Sequence, residues 1–356
     1  MKTLVVKIGT STLVRDGRID EQYIAGVARQ VVELRAMWRV VIVSSGAVRA
    51  GLDAIGKARA TKLPEKQAAA AIGQSLLMRA YRRAFEAHGM PVAQMLLTRS
   101  DIADRRRFLN ARRTAAQLFS WGVVPIVNEN DTVATEEIRF GDNDTLASLT
   151  ALVVEADRVL LLSDVKGFYL PGQSEPLAQI PAITPEIEAA AGGAGSIGGT
   201  GGMRTKIEAA RIATQAGIEL VIAQGRERDV IQRVAQDDNL GTRFLSSQSL
   251  RGRKRWIAFG TQPAGTLTLH PRARPALEGG ASLLAVGVLE VAGEFPAGAL
   301  VALRDTDGEF GRGLCNVASE SLRHIAGLKS AEAFKLLGDE APTAVIHRDN
   351  LTLASR

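Results

Sequence analysis

Short apolar runs alternate with longer helical stretches along the first two thirds of the chain, from Met1 to about Leu245. The runs have the length and the β-branched content of buried strands, and the segments between them are long enough for crossover helices. Six strands are predicted to begin near Thr3, Arg39, Pro91, Val123, Arg158 and Glu219. An amphipathic helix is predicted at about residues 66–88, because Ala, Leu and Ile recur on one side of it. This alternation predicts an α/β fold with a mainly parallel sheet between helices.

The pattern changes after Arg255. From about Pro263 the apolar runs are short and β-like, and Gly and Asp turns separate them. The runs are residues 265–269, 282–291, 299–303 and 343–347. Such spacing predicts a small β-barrel. The chain has 356 residues and is too long for one typical core, so we expect one domain at 1–250, a basic linker at 251–262 and a second domain at 263–356.

A glycine-rich turn at residues 199–206, with the sequence GTGGMRTK, is the first candidate for phosphate chemistry. The turn combines flexible backbone with the donors Thr200, Thr205 and Lys206, and it leads directly into a predicted helix. Backbone N–H groups in such a turn and the positive end of a helix dipole both favour an anion. The spacing is not that of a P-loop, which needs two glycines separated by four residues and then Lys-Ser or Lys-Thr. Taken alone, the segment could also be interpreted as a mobile glycine linker.

Two strand ends near the N-terminus add candidates. Lys7 lies inside the otherwise apolar run TLVVKIG, and a lysine is rarely buried without an anionic partner. The alternative is a lysine that snorkels from the end of a strand. The run RVVIV is followed by Ser44, Ser45, Gly46 and Ala47. Small residues at the carboxyl end of a strand let a ligand approach the backbone, although an ordinary tight turn would have the same composition.

Carboxylates and amides are concentrated at two further places. The apolar run VVPIV is followed by Asn128, Glu129, Asn130 and Asp131, and the segment GDNDT lies at residues 141–145. Two such clusters, each beside an apolar run, indicate a site for a polar ligand. Turn chemistry is the alternative, because Asn and Asp also favour turns and helix N-caps.

Composition narrows the classes of function. The net charge of +6 and the pI near 9.7 would suit nucleic-acid binding. Much of the positive charge is local, however, because residues 105–107 and 112–113 are arginines on one predicted helix. We expect Ile102, Leu109 and Leu118 to form the apolar side of that helix and the arginines to face solvent. Aromatic residues make up only 4% of the chain, so there is little material for base stacking.

The sequence also bears on the compartment. No apolar run approaches the roughly 20 residues of a membrane span, and the first residues, MKTLVVKIGTST, are interpreted as a strand that keeps its lysine, not as a signal peptide. The single cysteine, Cys315, excludes an internal disulfide. We therefore expect a cytoplasmic protein with no membrane partner.

These motifs stand in the order seen in the amino-acid kinase family, and the chain resembles that family over nearly its whole length. The segments are VVKIGTS, VSSGAV, NENDTV, FGDNDTLAS, LSD before KG, and GTGGMRTKIEAA. The resemblance is closest to the branch that phosphorylates the γ-carboxylate of L-glutamate, although Ser44 stands where many relatives carry Thr. The order GASLLAVGVLEVAGEFPAGALVAL and then RGLCNVAS resembles a PUA domain.

The resemblance implies an amino-acid kinase fold with a small PUA-like β-barrel, and ATP-dependent formation of L-glutamyl 5-phosphate, the first step of proline synthesis. It implies that Lys7 contacts the transferring phosphate, that Lys206 stabilises the transition state and leaving phosphate, and that Asp144 holds both lysines. The glutamate-binding residues would be Ser45, Gly46, Ala47, Asp131 and Asn143. The ATP-binding residues would be Lys7, Ser163, Asp164, Gly199, Thr200, Gly201, Gly202, Met203, Arg204, Thr205 and Lys206.

Partners and regulation follow from the same resemblance. Mg²⁺ would be bound mainly by the nucleotide phosphates, with no ligand residue assigned in the chain. Proline would inhibit the enzyme, glutamyl phosphate reductase would receive the labile product, and the chain would form a homo-oligomer, whereas RNA binding by the PUA-like domain is expected to be minor. The rivals are a sister kinase acting on aspartate, carbamate, acetylglutamate or a nucleotide, and an RNA-binding protein built on an inactive kinase. The second rival should have lost Lys7, Lys206 or Asp144, and all three are present.

Overall fold

The computed structural model of the chain describes residues 1–15, 17–133, 143–192, 202–246, 257, 263–338 and 342–353. The chain divides into two compact units, Met1–Ser249 and Leu250–Arg356. The first unit contains the α/β pattern, and the second contains the β-rich pattern. Residues 251–262, predicted to be a basic linker, lie outside the described residues apart from Ile257.

A mainly parallel sheet forms the centre of the first unit. Its strands are β1 (Lys2–Ile8), β4 (Trp38–Ser44), β5 (Val92–Leu97), β6 (Val124–Glu129), β7 (Arg158–Ser163), β8 (Gln179–Ile180), β9 (Glu219–Gln224) and β10 (Thr242–Phe244), while β2 (Val14–Arg15) and β3 (Arg18–Ile19) form a separate pair. The order in the sheet is β5-β6-β4-β1-β7-β9-β10-β8. Every neighbouring pair is parallel except β9 with β10. All six predicted strands are confirmed close to their expected starts.

Helices connect these strands. Those of the first unit are α1 (Thr10–Leu13), α2 (Glu21–Leu34), α3 (Ala47–Ala54), α4 (Leu63–Glu86), α5 (Arg99–Ala103), α6 (Arg105–Ser120), α7 (Asn143–Val153), α8 (Pro185–Ala191), α9 (Gly202–Gln215) and α10 (Val230–Ala235). The helix predicted at 66–88 is α4. It starts earlier because Pro64 fits a first helical turn and because the Glu65 carboxylate accepts from the backbone N–H of Thr61 at 2.9 Å. No helix in the described ranges is long and apolar enough to cross a membrane.

The alternation of side chains along β1 explains where Lys7 points. Leu4, Val6 and Ile8 are fully buried in the core that α2 and α4 build on one face of the sheet. Successive strand residues point to opposite faces, so Val5 and Lys7 point to the other face, against which α7 packs. Lys7 is therefore directed at one particular helix.

The arginine-rich helix differs from its prediction. Ile102 lies on the preceding helix α5, and the buried residues of α6 are Phe108 and Ala115. These two residues are two turns apart and share a face. Leu109 and Leu118 are only half-buried. The prediction was therefore wrong about which face of α6 is buried.

Two glycines let α3 and α4 touch backbone to backbone. A Cβ atom on Gly51 would lie 1.8 Å from the carbonyl oxygen of Ala69, and one on Gly73 would lie 1.8 Å from the carbonyl oxygen of Ala47. Any side chain would overlap the opposite backbone. The contact therefore holds α4 against α3, the helix that follows β4.

The second unit is built on a mixed sheet of order β12-β11-β13-β14-β15. The strands are β11 (Gly265–Leu269), β12 (Val288–Ala292), β13 (Leu300–Asp305), β14 (Gly308–Leu314) and β15 (Leu351–Leu353), and helices lie at Ala273–Glu278, Ser319–Ile325 and Ser330–Leu337. The predicted run 282–291 is a strand only in its last part. The run 343–347 is not a strand, because it pairs only through a single bridge between Ile346 and Leu283. Where a small β-barrel was predicted, the structure has this five-stranded mixed sheet, packed around a core that includes Cys315.

We predict that Gly73→Ala destabilises the first unit, because the added methyl group would overlap the Ala47 carbonyl and force α3 and α4 apart. Overpacking of this kind typically costs about 1–3 kcal/mol. Gly26→Ala in α2 is the matched control, since nothing lies within 4 Å of the new Cβ and Gly-to-Ala changes inside helices typically add about 0.5–1 kcal/mol. Thermal unfolding followed by circular dichroism compares the two variants. A Gly73→Ala protein as stable as the wild type would contradict the close helix contact.

Candidate functional site

The carboxyl ends of the parallel strands lie along one edge of the first unit's sheet. β6, β4, β1, β7 and β9 lie side by side, so the residues that follow them are neighbours at that edge. The loop residues are Asp131 after β6, Ser45 after β4, Gly9 after β1, Asp164 after β7 and Gly225 after β9. β1 lies between β4 and β7 in the sheet. The chain passes from β1 to β4 on one side of it and enters β7, on the other side, only later. Such a switch point in an open α/β sheet is where ligands bind.

Asp144 lies between two buried lysines that come from different elements. Its Oδ1 is 2.5 Å from Lys7 Nζ in β1, and its Oδ2 is 2.8 Å from Lys206 Nζ in α9. The side chain of Asp144 is 1% exposed, and those of Lys7 and Lys206 are 8% and 11% exposed. An anionic partner was predicted for Lys7, and the Asp144 carboxylate is that partner.

Packing between helices α7 and α9 holds this cluster together. Asp144 is in the first turn of α7, and the Ser148 hydroxyl, one turn later, donates to the carbonyl oxygen of Ala209 in α9 at 2.7 Å. Lys206 lies one turn before that contact. Its Nζ also donates to the carbonyl oxygen of Gly202 at 3.3 Å. The ammonium group is thereby held at the N-terminal end of α9.

The ionisation state of Asp144 depends on its lysines. Burial would raise the pKa of the carboxyl, but the charges of Lys7 and Lys206 and their hydrogen bonds outweigh burial and hold the pKa below its usual value. Stability from this carboxylate is therefore present above the ordinary pKa of about 3.9 and is lost only as the pH falls through the depressed folded value. At neutral pH one carboxylate and two ammonium groups leave one net positive charge at the sheet edge.

A buried group of amides lies at the β4 end of the site. Asn143 Nδ2 donates to the carbonyl oxygen of Ser44 at 3.1 Å, to Ser45 Oγ at 2.8 Å and to Asn128 Oδ1 at 3.1 Å. Asn143 is 8% exposed and Asn128 is 2% exposed. Asn143 Oδ1 is buried and has no hydrogen-bond partner among the described residues. The predicted residues Ser45 and Asn143 are thus brought into direct contact, with one acceptor left over.

The turn after β4 has the backbone that its small residues allow. The Ser45 N–H donates to the carbonyl oxygen of Ile8 at 3.0 Å, which joins the ends of β4 and β1. Gly46 is the N-cap of α3 and has φ +95°, a conformation that favours glycine. Ala47 is buried and begins α3. The first N–H groups of a helix lack intrahelical acceptors, so this turn can receive carboxylate oxygens.

Asp131 lies apart from this contact. It is half-buried in the turn after β6, and burial raises the pKa of its carboxyl. No hydrogen bond joins it to Ser45 or Asn143 within the described ranges. The structure therefore puts it at the same sheet edge without linking it to the amide group.

The β7 side of the edge contains the residues predicted to bind ATP. Ser163 is buried and its hydroxyl donates to Asp164 Oδ1 at 3.0 Å, while Asp164 is exposed. The Gly225 N–H donates to the carbonyl oxygen of Ser163 at 2.7 Å, which joins the ends of β9 and β7. A Cβ on Gly225 would lie 2.5 Å from Thr12 Cγ2, so any other residue would force the Thr12 side chain to shift.

The glycine-rich turn is described only in its second half. Gly199, Thr200 and Gly201 lie outside the described residues. Gly202 begins α9, and the Thr205 hydroxyl donates to its carbonyl oxygen at 3.0 Å. The described residues before Lys206 are at least partly exposed, namely Gly202, Met203, Arg204 and Thr205. The start of α9 is therefore accessible beside a buried lysine, an arrangement that favours an anion.

A profile of the amino acid kinase family matches residues 2–224. The chain belongs to the amino acid kinase family. The matched region of this kinase contains all the predicted site residues, and a PUA domain profile matches residues 265–337. Both the predicted family and the predicted second module are confirmed.

Two full-length relatives of this amino acid kinase carry the same name. Glutamate 5-kinase of Gloeobacter violaceus is 49% identical over 370 residues, covering 100% of both chains. Glutamate 5-kinase of Geobacter sp. (strain M21) is 46% identical over 364 residues, covering 99% of this chain and 98% of the relative. The structure of Giardia carbamate kinase superposes with a TM-score of 0.51 at 17% identity and covers 69% of this chain and 99% of that one. That likeness supports the fold alone.

The protein ligands available to Mg²⁺ in this amino acid kinase are few. Within the described ranges no three His, Cys, Asp or Glu side chains are grouped so that they could hold a metal ion. Both oxygens of Asp144 face lysines.

Three residues of the kinase site were missed or left unassigned from the sequence. Asn128 stood in a recognised polar cluster but had no role, whereas Gln74 and Tyr81 were not selected at all. Gln74 Oε1 accepts from Asn128 Nδ2 at 2.7 Å, and the Tyr81 hydroxyl lies 2.9 Å from Ser44 Oγ. The available signal was a glutamine within the apolar run AAAAIGQSLL of an amphipathic helix, where a buried polar side chain needs a partner.

Proposed function

We propose that the chain is a glutamate 5-kinase, which transfers the γ-phosphoryl group of ATP to the γ-carboxylate of L-glutamate and begins proline synthesis. The observation that carries the proposal is the cluster of Lys7, Asp144 and Lys206 at the switch point of the sheet. The names of full-length relatives at 46–49% identity support glutamate as the substrate.

The chemistry explains why lysines, not a general base, dominate the site. A γ-carboxylate has an ordinary pKa of about 4.3, so it is an ionised nucleophile at neutral pH. The carboxylate oxygen attacks the γ-phosphorus while the bond to the β-phosphate oxygen breaks, and the products are L-glutamyl 5-phosphate and ADP. The obstacle is repulsion between a carboxylate and a triphosphate. Positioning and fixed positive charge are therefore the main catalytic terms.

Each member of the cluster has a proposed role. Lys7 contacts the phosphoryl group that is transferred, and Lys206 stabilises the transition state and the leaving phosphate. Asp144 holds both ammonium groups in place. Because Asp144 neutralises only one of the two lysines, the pair can stay buried and still present positive charge to phosphate.

The two substrates are proposed to occupy opposite halves of the edge. Glutamate is bound at the β4 and β6 ends by Ser45, Gly46, Ala47, Asp131 and Asn143. ATP lies towards β7 and α9, with Ser163 and Asp164 near the nucleotide and residues 199–206 around its phosphates. The support is that Asn143 and Asp144 are consecutive, so the amide group and the lysine pair adjoin.

Further parts of the proposal concern conditions and partners. Mg²⁺ would be held mainly by the ATP phosphates, where it would neutralise part of their charge. Proline inhibits the enzyme, glutamyl phosphate reductase receives the labile product, and the chain forms a homo-oligomer, whereas RNA is at most a minor ligand of the PUA domain. A cytoplasmic location is supported by the single cysteine, Cys315, which cannot form an internal disulfide.

A substrate panel tests the function. The full-length protein with MgATP is given L-glutamate, L-aspartate, carbamate, N-acetylglutamate or a nucleoside monophosphate, and ADP release is coupled to NADH oxidation. Hydroxylamine traps the acyl phosphate as a hydroxamate. We expect turnover with L-glutamate only, and added proline should reduce it. Turnover with another acceptor and none with glutamate would replace the proposal with a sister kinase.

Lys206→Met should lower kcat and leave the KM for glutamate within a few fold, because its charge matters most where negative charge develops in the transition state. Loss of one such donor typically costs about 10² to 10³ in rate. Lys66→Met is the matched control, since Lys66 is exposed on α4. Steady-state kinetics of both variants give the answer, and an unchanged kcat for Lys206→Met would remove that lysine from the mechanism.

Asp131→Ala and Asn143→Ala should each raise the KM for glutamate, because both residues are proposed to bind parts of the substrate that do not react. The KM for ATP should change little. Initial rates over a grid of both substrates separate the two constants. If the KM for ATP rose instead in both variants, the two ligands would have been assigned to the wrong halves of the site.

We also propose that residues 1–250 carry all the chemistry, because every assigned residue lies between Lys7 and Lys206. A chain that ends at Ser249, the boundary of the first compact unit, should keep glutamate-dependent turnover. The comparison is kcat/KM for full-length and truncated protein, with folding checked by circular dichroism. A folded truncation that binds ATP but has no turnover would show that the second unit completes the site.

A further inference from the structure

We propose that Gln74 is a positioning residue for the amino-acid end of the site, acting through Asn128 on Asn143. The inference rests on the proposed function and adds a determinant of substrate affinity to it. Gln74 lies on α4 and is 9% exposed. Asn128 Nδ2 donates to Gln74 Oε1 at 2.7 Å, and Asn143 Nδ2 donates to Asn128 Oδ1 at 3.1 Å. Two hydrogen bonds thus link a helix outside the site to a proposed glutamate ligand.

The backbone fixes which end of each asparagine amide points where. The Glu129 N–H can only donate, and it donates to Asn128 Oδ1 at 2.9 Å. The NH₂ group of Asn128 must therefore point away, towards Gln74. The Ser44 carbonyl can only accept, and it accepts from Asn143 Nδ2 at 3.1 Å. Asn143 Oδ1 is consequently the end that stays available, and an acceptor oxygen suits the α-ammonium group of an amino acid.

Gln74 supplies the acceptor that makes this arrangement stable. Without it, the NH₂ group of Asn128 would be buried with no partner, a costly state for a polar group. Turning the Asn128 amide over would not help, because its NH₂ group would then face both the Glu129 N–H and the NH₂ group of Asn143. Donors would oppose donors. Removing the acceptor at position 74 should therefore displace Asn143 and weaken glutamate binding without touching the lysines.

The contact between α3 and α4 gives Gln74 a fixed place. Gly73, the preceding residue, packs its backbone against the carbonyl of Ala47 in the turn that follows β4. A glutamine is long and loses much side-chain freedom on burial. The close backbone contact of Gly73 fixes the position of the Gln74 backbone, and this limits the positions that Gln74 Oε1 can reach. The same turn contains the proposed ligands Ser45 and Gly46.

Gln74→Met tests the role, because methionine keeps the length and apolar contacts of the side chain and removes its acceptor. We expect the KM for glutamate to rise about three- to tenfold, the usual effect of one well-placed hydrogen bond. The KM for ATP should stay within about twofold and kcat within about threefold. A change that was merely structural would lower the melting temperature and the amount of active enzyme without raising the KM for one substrate.

Gln30→Met is the matched control. Gln30 is a helix glutamine that is 7% exposed, and its Oε1 accepts from the Ile231 N–H at 2.9 Å, so it joins α2 to α10 and not to the site residues in α7 and α9. It should lower the melting temperature and leave both KM values unchanged. An equal rise of the glutamate KM in both variants would overturn the positioning role.

A double-mutant cycle with Asn143→Ala identifies the route. If Gln74 acts through Asn143, the double variant should have the same KM for glutamate as Asn143→Ala alone. Multiplying effects would overturn the route, and an unchanged KM in Gln74→Met would overturn the proposal while leaving the kinase function intact. Wild-type protein without glutamate turnover would instead overturn the function and this inference with it. If Gln74→Met does not fold, Asn128→Ala takes its place in the cycle, and multiplying effects there also overturn the route.

Discussion

The burial of the Asp144 carboxylate between two lysines is the interaction on which the rest of the site depends. A charge that is 1% exposed is tolerated only with partners, and breaking a buried ion pair by removing one partner typically costs about 3–5 kcal/mol. Lys7 and Lys206 each take one oxygen, so neither lysine is redundant. The strand β1 and the helix α9 must therefore both meet the start of α7 for the first unit to be stable. The same geometry leaves an uncompensated positive charge where the strands end.

Much of this arrangement could be predicted from the sequence because its signals are local. The alternation of apolar runs with helical stretches predicted the six strands. Lys7, inside an otherwise apolar run, predicted an anionic partner. The identity of that anion was available only through the family resemblance, because Asp144 is far from Lys7 in the chain. Which face of β1 meets α7 depends on the packing of helices from distant parts of the sequence.

The errors came from patterns whose outcome is decided by tertiary contacts. On α6 the leucines suggested one face, but Phe108 and Ala115 are the buried pair. The run 343–347 has strand composition and yet forms a single bridge. Gln74 was missed for a related reason, since a glutamine in an alanine-rich helix gives no hint that the amide of Asn128 lies opposite. The role of Gln74 can be recognised only from the close contact between Gly73 and Ala47, which brings α4 next to the turn after β4.

The first turn of α7 joins the two halves of the site. Asn143 and Asp144 are consecutive, and residues one step apart on a helix point about 100° apart. Asn143 therefore faces the ends of β4 and β6, while Asp144 faces β1 and α9. In the proposed reaction this one turn sets the distance between the amino-acid ligand and the lysines that contact the transferring phosphoryl group. A shift of α7 would misplace substrate and charge together, which is why the buried ion pairs and the amide cluster act as one unit although they share no side chain.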